Sequence, residues 1–376
     1  MRRAAASLAA LPLLFLLSGC GKQEPVARIG FAVPLTGDQA SHGAAMLNGA
    51  KLALELAQQA GPVLPGVRVE LVPLDDARSP AQAVAVAKRL AADPSVVAVV
   101  GHLNSSCTKP ASAVYHEARV LHVNPTSSNP EISRQGFDNF FRICPTDDLQ
   151  GPAGARFAFE RLGAKRLYIL DDLTTYGRGL ANEFEKAARG LGAEVLGHEG
   201  LTQGEKDFTP VLTKIKGMQP DLIFFAGMFP EAALLIQQRQ KLGITAYFLG
   251  GDGLYEPNLI KLATPEAAEG AYLTSLGGDI RQLPSAANFV REYEARFGEQ
   301  GAYSGYAYEA VSFALEALRR AGKADRAAVL AAAKGMKEYP GILGTHRFDE
   351  KGDTTIHTIG IYQVRKAKFQ FLEAVD

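Results

Sequence analysis

The sequence predicts an α/β protein of two lobes, each a doubly wound parallel sheet covered by helices on both faces. Three observations carry this. Short apolar runs alternate with amphipathic runs of helical period along most of the chain, the pattern of parallel strands joined by crossover helices. The alternation completes one cycle near residue 140 and restarts after it. The chain, 376 residues long, also exceeds what one hydrophobic core normally fills.

A leader comes first. Arg2 and Arg3 precede an apolar stretch at 8–17, too short to span a bilayer, and Leu17-Ser18-Gly19-Cys20 follows at once. This reads as a secretory signal over 1–19. The tetrapeptide resembles a lipobox, which implies cleavage before Cys20 and lipid on its thiol. Residues 20–27 then form a lipidated tether. The folded part is expected in the periplasm or at the cell surface, meeting the membrane only through that anchor.

Residues 28–33 read as a strand and 44–60 as a helix with one apolar face. The next strand, 67–74, closes on Asp75-Asp76, and Ser79-Pro80 opens another helix as cap and first-turn proline. Apolar runs at 96–100 and 120–123 each lead into a hydroxyl-rich loop. These are Gly101-His102-Leu103-Asn104-Ser105-Ser106-Cys107-Thr108 and Asn124-Pro125-Thr126-Ser127-Ser128-Asn129. The cycle restarts at 140–145, with helices at 151–162, 179–191, 209–216 and 231–242 and strands at 167–170, 193–196, 221–226 and 246–249. A strand at 271–276 precedes helices at 286–297 and 304–321. Strands near 346–348 and 358–364 flank the turn Asp349-Glu350-Lys351-Gly352-Asp353. Terminal segments of this kind can cross back between lobes and leave a hinged cleft.

Neighbouring parallel strands would set the two hydroxyl loops side by side at the carboxyl edge of a sheet, where open α/β folds bind ligands. Their hydroxyls, with the amides of the helix starting after Ser105, suit a carboxylate or another small polar head group. Taken singly, each loop also reads as ordinary caps and turns. Asp252, framed by glycines at a strand end, suits a ligand ammonium, because a buried carboxylate needs such a partner; Asp beside Gly is also a common turn maker. Tyr176 and Tyr303 can close over an apolar side chain. His42 can line the crevice or cap a helix at the surface, and His102 reads as a brace for its loop.

Other chemistry is missing from the sequence. Lysine plus arginine equals aspartate plus glutamate, 40 each, and no basic stripe with interleaved aromatics appears, which argues against nucleic acid. No P-loop, dinucleotide fingerprint, His-Glu-x-x-His, Cys-x-x-Cys or Gly-x-Ser-x-Gly occurs, so neither cofactor nor metal is implied. No activated nucleophile or acid–base pair is evident, and binding rather than catalysis is expected. Beyond Cys20, only Cys107 and Cys144 remain; this excludes a disulfide-built scaffold and leaves their pairing open.

Several segments, in order from about Arg28 to the carboxyl end, resemble the leucine/isoleucine/valine-binding proteins of bacterial ABC importers. They are Val99-Val100-Gly101-His102-Leu103-Asn104-Ser105-Ser106, Asn124-Pro125-Thr126-Ser127-Ser128-Asn129-Pro130-Glu131, Tyr176-Gly177-Arg178-Gly179-Leu180-Ala181, Gly204-Glu205-Lys206-Asp207-Phe208 and Phe348-Asp349-Glu350-Lys351-Gly352-Asp353. The resemblance implies a type I periplasmic-binding-protein fold, with three crossovers forming the hinge between the lobes and closure by hinge bending. It divides the chain into a first lobe, 28–145 and 277–351, and a second, 146–276 and 352–376.

By the same resemblance, Ser105 and Ser128 act through their hydroxyls, Thr126 through its carbonyl, Tyr176 covers the cleft, and Asp252 pairs with the ammonium where the family usually has Glu. His42 and Met228 stand where Tyr is common, and Arg78 and Asn104 replace a frequent cysteine pair. With Leu103 and Tyr303 these mark a specificity pocket, and the departures point to a ligand other than leucine. The implied protein is a monomeric amino-acid receptor serving ABC permease subunits. A second reading on the same fold is a sensor of amides or other small polar molecules, without transport.

Overall fold

The computed structural model describes residues 24–375. The signal segment, Cys20 and the start of the tether lie outside the described residues. A first parallel sheet takes β1 (Val26–Val33), β2 (Arg68–Asp75), β3 (Val96–Gly101), β4 (Leu121–Asn124) and β5 (Phe140–Arg142) in the order β2-β1-β3-β4-β5. Strand residues alternate between two apolar layers, as the twofold period of a strand requires. On one face Val99 and Ala32 pack against α2 (Pro80–Ala92) and α3 (Ser105–Glu117) through Val86, Leu90 and Tyr115. On the other, Ile29, Phe31 and Val100 pack against α1 (Ala40–Gln59). Ser79 caps α2, its hydroxyl accepting from the Gln82 amide at 3.4 Å.

A second sheet is reached through α4 (Asp147–Arg156), which runs into a π-helical turn at Phe157–Arg161. Its parallel strands are β6 (Arg166–Asp171), β7 (Glu194–Gly200), β8 (Leu222–Ala226), β9 (Tyr247–Gly250) and β10 (Tyr272–Ser275), linked by α5 (Thr175–Gly190), α6 (Thr209–Met218), α7 (Phe229–Lys241), α8 (Pro257–Ala263) and α9 (Pro265–Ala268). The chain then returns to the first sheet. There α10 (Ala287–Phe297), α11 (Ser304–Ala321) and α12 (Arg326–Gly335) complete the layer started by α1, with Phe289 and Tyr293 on Leu52 and with Val311 and Leu318 in the shared core. After the two-residue pair β11 (Tyr339–Pro340) and β12 (Thr345–His346), β13 (Ile359–Arg365) and β14 (Lys368–Val375) rejoin the second sheet.

The chain thus passes between the sheets three times, after Arg142, after Ser275 and after Asp353. Two of these passages touch, because Arg142 bridges Asp353 in parallel register at the end of β5.

The structure corrects several expectations. The second sheet is mixed, since β13 runs antiparallel to β10 and β14 antiparallel to β13. Its hairpin turns at positive-φ Lys366 and Ala367, and the final strand was not anticipated, nor were α8, α9 and α12. The strand expected near 346–348 shrinks to the β12 pair, with Phe348 turned instead onto Phe141 and Phe313. Helices α4 and α5 begin four residues earlier than their periodicity suggests, which moves Tyr176 onto the first turn of α5. Cys107 and Cys144 are separate free thiols, both buried, and burial pushes both thiols up. Among the described residues no helix is long and apolar enough to cross a membrane.

His122, on β4, is fully buried, and that burial lowers its pKa to about 3 against an ordinary 6.5. The unfolded chain therefore binds this proton and the native one does not. His122 contributes stability that is complete above pH 6.5 and lost as the pH falls toward 3, at about 1.4 kcal/mol per pH unit. The stability gap between wild type and H122F, measured by urea unfolding, should accordingly shift in favour of the variant from pH 6.5 to 4.5. A gap independent of pH would show that His122 stays hydrated.

Candidate functional site

Loops leaving the carboxyl ends of strands in both sheets converge on one cavity. The first sheet supplies Leu103, Asn104 and Ser105 after β3, and Thr126 and Ser128 after β4. The second supplies Tyr176 from α5, Met228 after β8 and Asp252 after β9, while Tyr303 reaches in from the start of α11.

The two hydroxyl loops are tightly built. The Asn124 side chain accepts from the amides of Thr126 (3.1 Å) and Ser127 (2.9 Å) and donates to the Ser127 carbonyl (2.8 Å), so the second loop folds around its own first residue. Ser127 Oγ donates to the carbonyls of His102 (3.0 Å) and Leu103 (3.1 Å), and Thr126 Oγ1 to that of Leu103 (3.3 Å), stitching the loops together. His102 braces the first loop from behind, its Nδ1 at 2.7 Å from Asp76 and its Nε2 at 3.1 Å from the Tyr115 hydroxyl. Asn104 and Ser105 are the cap and first residue of α3, so the cavity opens on a helix N-terminus, where the Cys107 amide already donates to the Asn104 carbonyl at 2.9 Å.

Asp252 forms the opposite wall. Its Oδ1 accepts from the Tyr176 hydroxyl at 2.8 Å and Gln150 Nε2 at 3.0 Å, and its Oδ2 from the Tyr303 hydroxyl at 2.7 Å. All three donors are neutral, and Asp252 takes part in none of the ion pairs among the described residues. Burial raises its pKa, opposed by the hydrogen bonds from Tyr303, Tyr176 and Gln150. Beside it, Asp147 is fully buried, and a hydrogen bond from the Ser128 hydroxyl favours its charged form. Burial pushes Asp147 well above the usual carboxylate range, and the Asp252 charge pushes the same way.

Three of these groups carried no local signal. Gln150 and Asp147 look like ordinary first-turn residues of α4. Arg142, at the end of β5, is fully buried and organises the second loop. Its Nη1 donates to the carbonyls of Ser127 (3.0 Å) and Asn129 (2.9 Å), its Nη2 to Ser133 Oγ (2.9 Å) and its Nε to Asp353 (2.7 Å).

Two residues expected in the specificity pocket do not line the cavity. His42 lies behind Tyr303, the rings 4.9 Å apart, with Phe229 at 5.2 Å and Glu256 at 3.4 Å; burial lowers its pKa to about 4, so it is neutral near pH 7. Arg78 sits where the edges of the two sheets meet. It pairs with Asp38 at 2.9 Å beside its own sheet, and with Asp172 (3.5 Å) and Glu231 (3.7 Å) of the other. No group of histidine, cysteine and acidic residues among the described residues could hold a metal ion.

Comparison with known proteins agrees with this architecture. A family model described as "Periplasmic binding protein" matches residues 26–368. The chain is 34% identical over 348 residues to "Leu/Ile/Val-binding protein homolog 1" of Brucella suis, covering 92% of this chain and 93% of the relative. It is 37% identical over 338 residues to "Amino acid binding protein" of Pseudomonas aeruginosa, covering 89% of each. Among solved structures, the branched-chain amino acid transporter substrate binding protein LivJ of Streptococcus pneumoniae, in complex with isoleucine, superposes with a TM-score of 0.86 at 27% identity, over 93% of this chain and 99% of LivJ. All three are named as binding proteins. With two wound sheets, three passages between them and a cavity at their facing edges, the chain belongs to the periplasmic binding protein family and shares the fold of its branched-chain amino acid binders.

Proposed function

We propose that this protein captures an amino acid in the cavity between the two sheets and delivers it to the permease of an ABC importer. The observation that carries the reading is Asp252, a buried carboxylate served only by neutral donors and facing a wall of hydroxyls. An α-ammonium supplies the missing positive charge, and the Thr126 carbonyl offers it a second acceptor. The α-carboxylate then falls to the Ser105 and Ser128 hydroxyls and the first-turn amides of α3. Tyr176 closes one side while holding Asp252 in place.

The lobes, 28–145 with 277–351 and 146–276 with 352–376, close by bending at the three passages, and Arg78 clasps the closed form from one sheet to the other. Cys20 carries the lipid that holds a monomer outside the cytoplasm. Purified protein should gain about 2.7 kcal/mol when an amino acid is present at a hundred times its dissociation constant, read as a rise in melting temperature across an amino-acid panel. A panel in which only amides or organic acids raise the midpoint would sink this reading and favour a sensor of such molecules.

A further inference from the structure

Gln39 and Asn104 both occupy helix N-cap positions, and neither side chain makes a capping hydrogen bond. Amide side chains at such positions normally turn to the free first-turn amides. Here they turn to each other instead, Asn104 Nδ2 donating to Gln39 Oε1 at 3.0 Å. The other half of each amide is then left over. Asn104 Oδ1 and Gln39 Nε2 are both shielded from solvent and have no partner, and Gln39 is fully buried. Exchanging the ends of both amides preserves this count, one unmet donor and one unmet acceptor.

Asn104 lines the cavity, and the adjoining Leu103 and Met228 are its apolar members. Of the remaining lining residues, Ser105, Thr126, Ser128 and Asp252 belong to the proposed grip on the ammonium and carboxylate, and Tyr176 and Tyr303 hold Asp252. The part left for the side chain is therefore lined by apolar Leu103 and Met228 and by the hydrogen-bonding amide of Asn104. Resting on the amino-acid reading above, we infer that the cavity selects a short side chain bearing a hydroxyl, recognised by Asn104 in its pairing with Gln39. A hydroxyl both donates and accepts, so it can meet the orphaned end of the Asn104 amide in whichever orientation that amide takes, whereas a methyl group in the same place leaves it unmet. Leu103 and Met228 suit a β-methyl beside that hydroxyl.

L-Threonine and L-valine have the same shape and differ by this one group, which makes them the decisive pair. Titration calorimetry on the wild-type protein with L-threonine, L-serine, L-valine and L-leucine should show threonine bound about tenfold or more tightly than valine. Asn104→Leu should erase or reverse that ratio. Valine or leucine bound as tightly as threonine by the wild type would overturn the inference and leave the amino-acid reading standing. No binding of any of the four by folded protein would also overturn the inference, and the amino-acid panel above would then decide the reading it rests on. The wild-type comparison decides the matter even where the Asn104 variant folds poorly.

Discussion

Asp252→Asn should cost about 2–5 kcal/mol of amino-acid binding, a loss of more than tenfold in affinity, without weakening the unliganded protein. The two effects have different origins. In the ligand complex, asparagine keeps the acceptor for Tyr176 and Gln150 but leaves the ligand's ammonium buried without its countercharge. In the free protein the same change removes a carboxylate whose burial raises its pKa. The linkage sign follows: a carboxyl with a raised native pKa costs stability at neutral pH, and that cost disappears as the pH falls below its unfolded value. The variant should therefore melt no lower than wild type at pH 7 and show its defect only in calorimetric titration with ligand. Unchanged affinity would remove Asp252 from the site.

Arg142→Met should destabilise the fold by about 3 kcal/mol, because it leaves the Ser127 and Asn129 carbonyls without this donor and the partly buried Asp353 without its countercharge. Methionine keeps much of the stem's volume, so little of the loss comes from a cavity. What disappears is the set of Arg142 donors to the Ser127 and Asn129 carbonyls and the charged partner of Asp353, which keeps only the Ser133 hydroxyl. Urea unfolding would record the change as a lower midpoint at nearly constant slope. Because the same guanidinium holds the loop that carries Thr126 and Ser128, residual folded protein should also bind ligand more weakly. A midpoint within about 0.5 kcal/mol of wild type, the range of ordinary surface substitutions, would rule out an organising role.

Much of the fold was legible because its signals are local. Strand β3 is entirely apolar since both its faces are covered, and Ser79-Pro80 marks a helix start through cap and first-turn geometry alone. The cavity was legible for a related reason: strand ends in an open α/β sheet converge, so Ser105, Thr126, Ser128 and Asp252 share a destination fixed by topology. Groups that act through tertiary apposition were not legible. Arg142 meets Asp353 from 211 positions away, and nothing in a three-residue apolar strand announces a buried guanidinium. Gln150 reaches Asp252 across 102 positions from a helix whose first turn looks solvated. His42 shows the opposite failure, since a residue at the start of α1 can face the cavity or the ring behind it, and only packing against Tyr303 and Phe229 decides. Strand β14 was a different matter, because its alternation of Phe369 and Phe371 with polar neighbours is an ordinary period-two signal.

A guanidinium shared among carboxylates of two sheets has few intermediate resting places. Arg78 meets Asp38 on one side and Asp172 and Glu231 on the other, and the latter two are almost wholly shielded from water. Under the hinge-closure reading, a partial gap of a few ångströms would strand those charges without either Arg78 or full hydration, the costliest arrangement available to them. The sheets would then seat in one register or separate far enough for water to enter. A membrane partner touching the outer rims would meet two discrete shapes, so occupancy would be reported as a yes-or-no signal rather than a graded one.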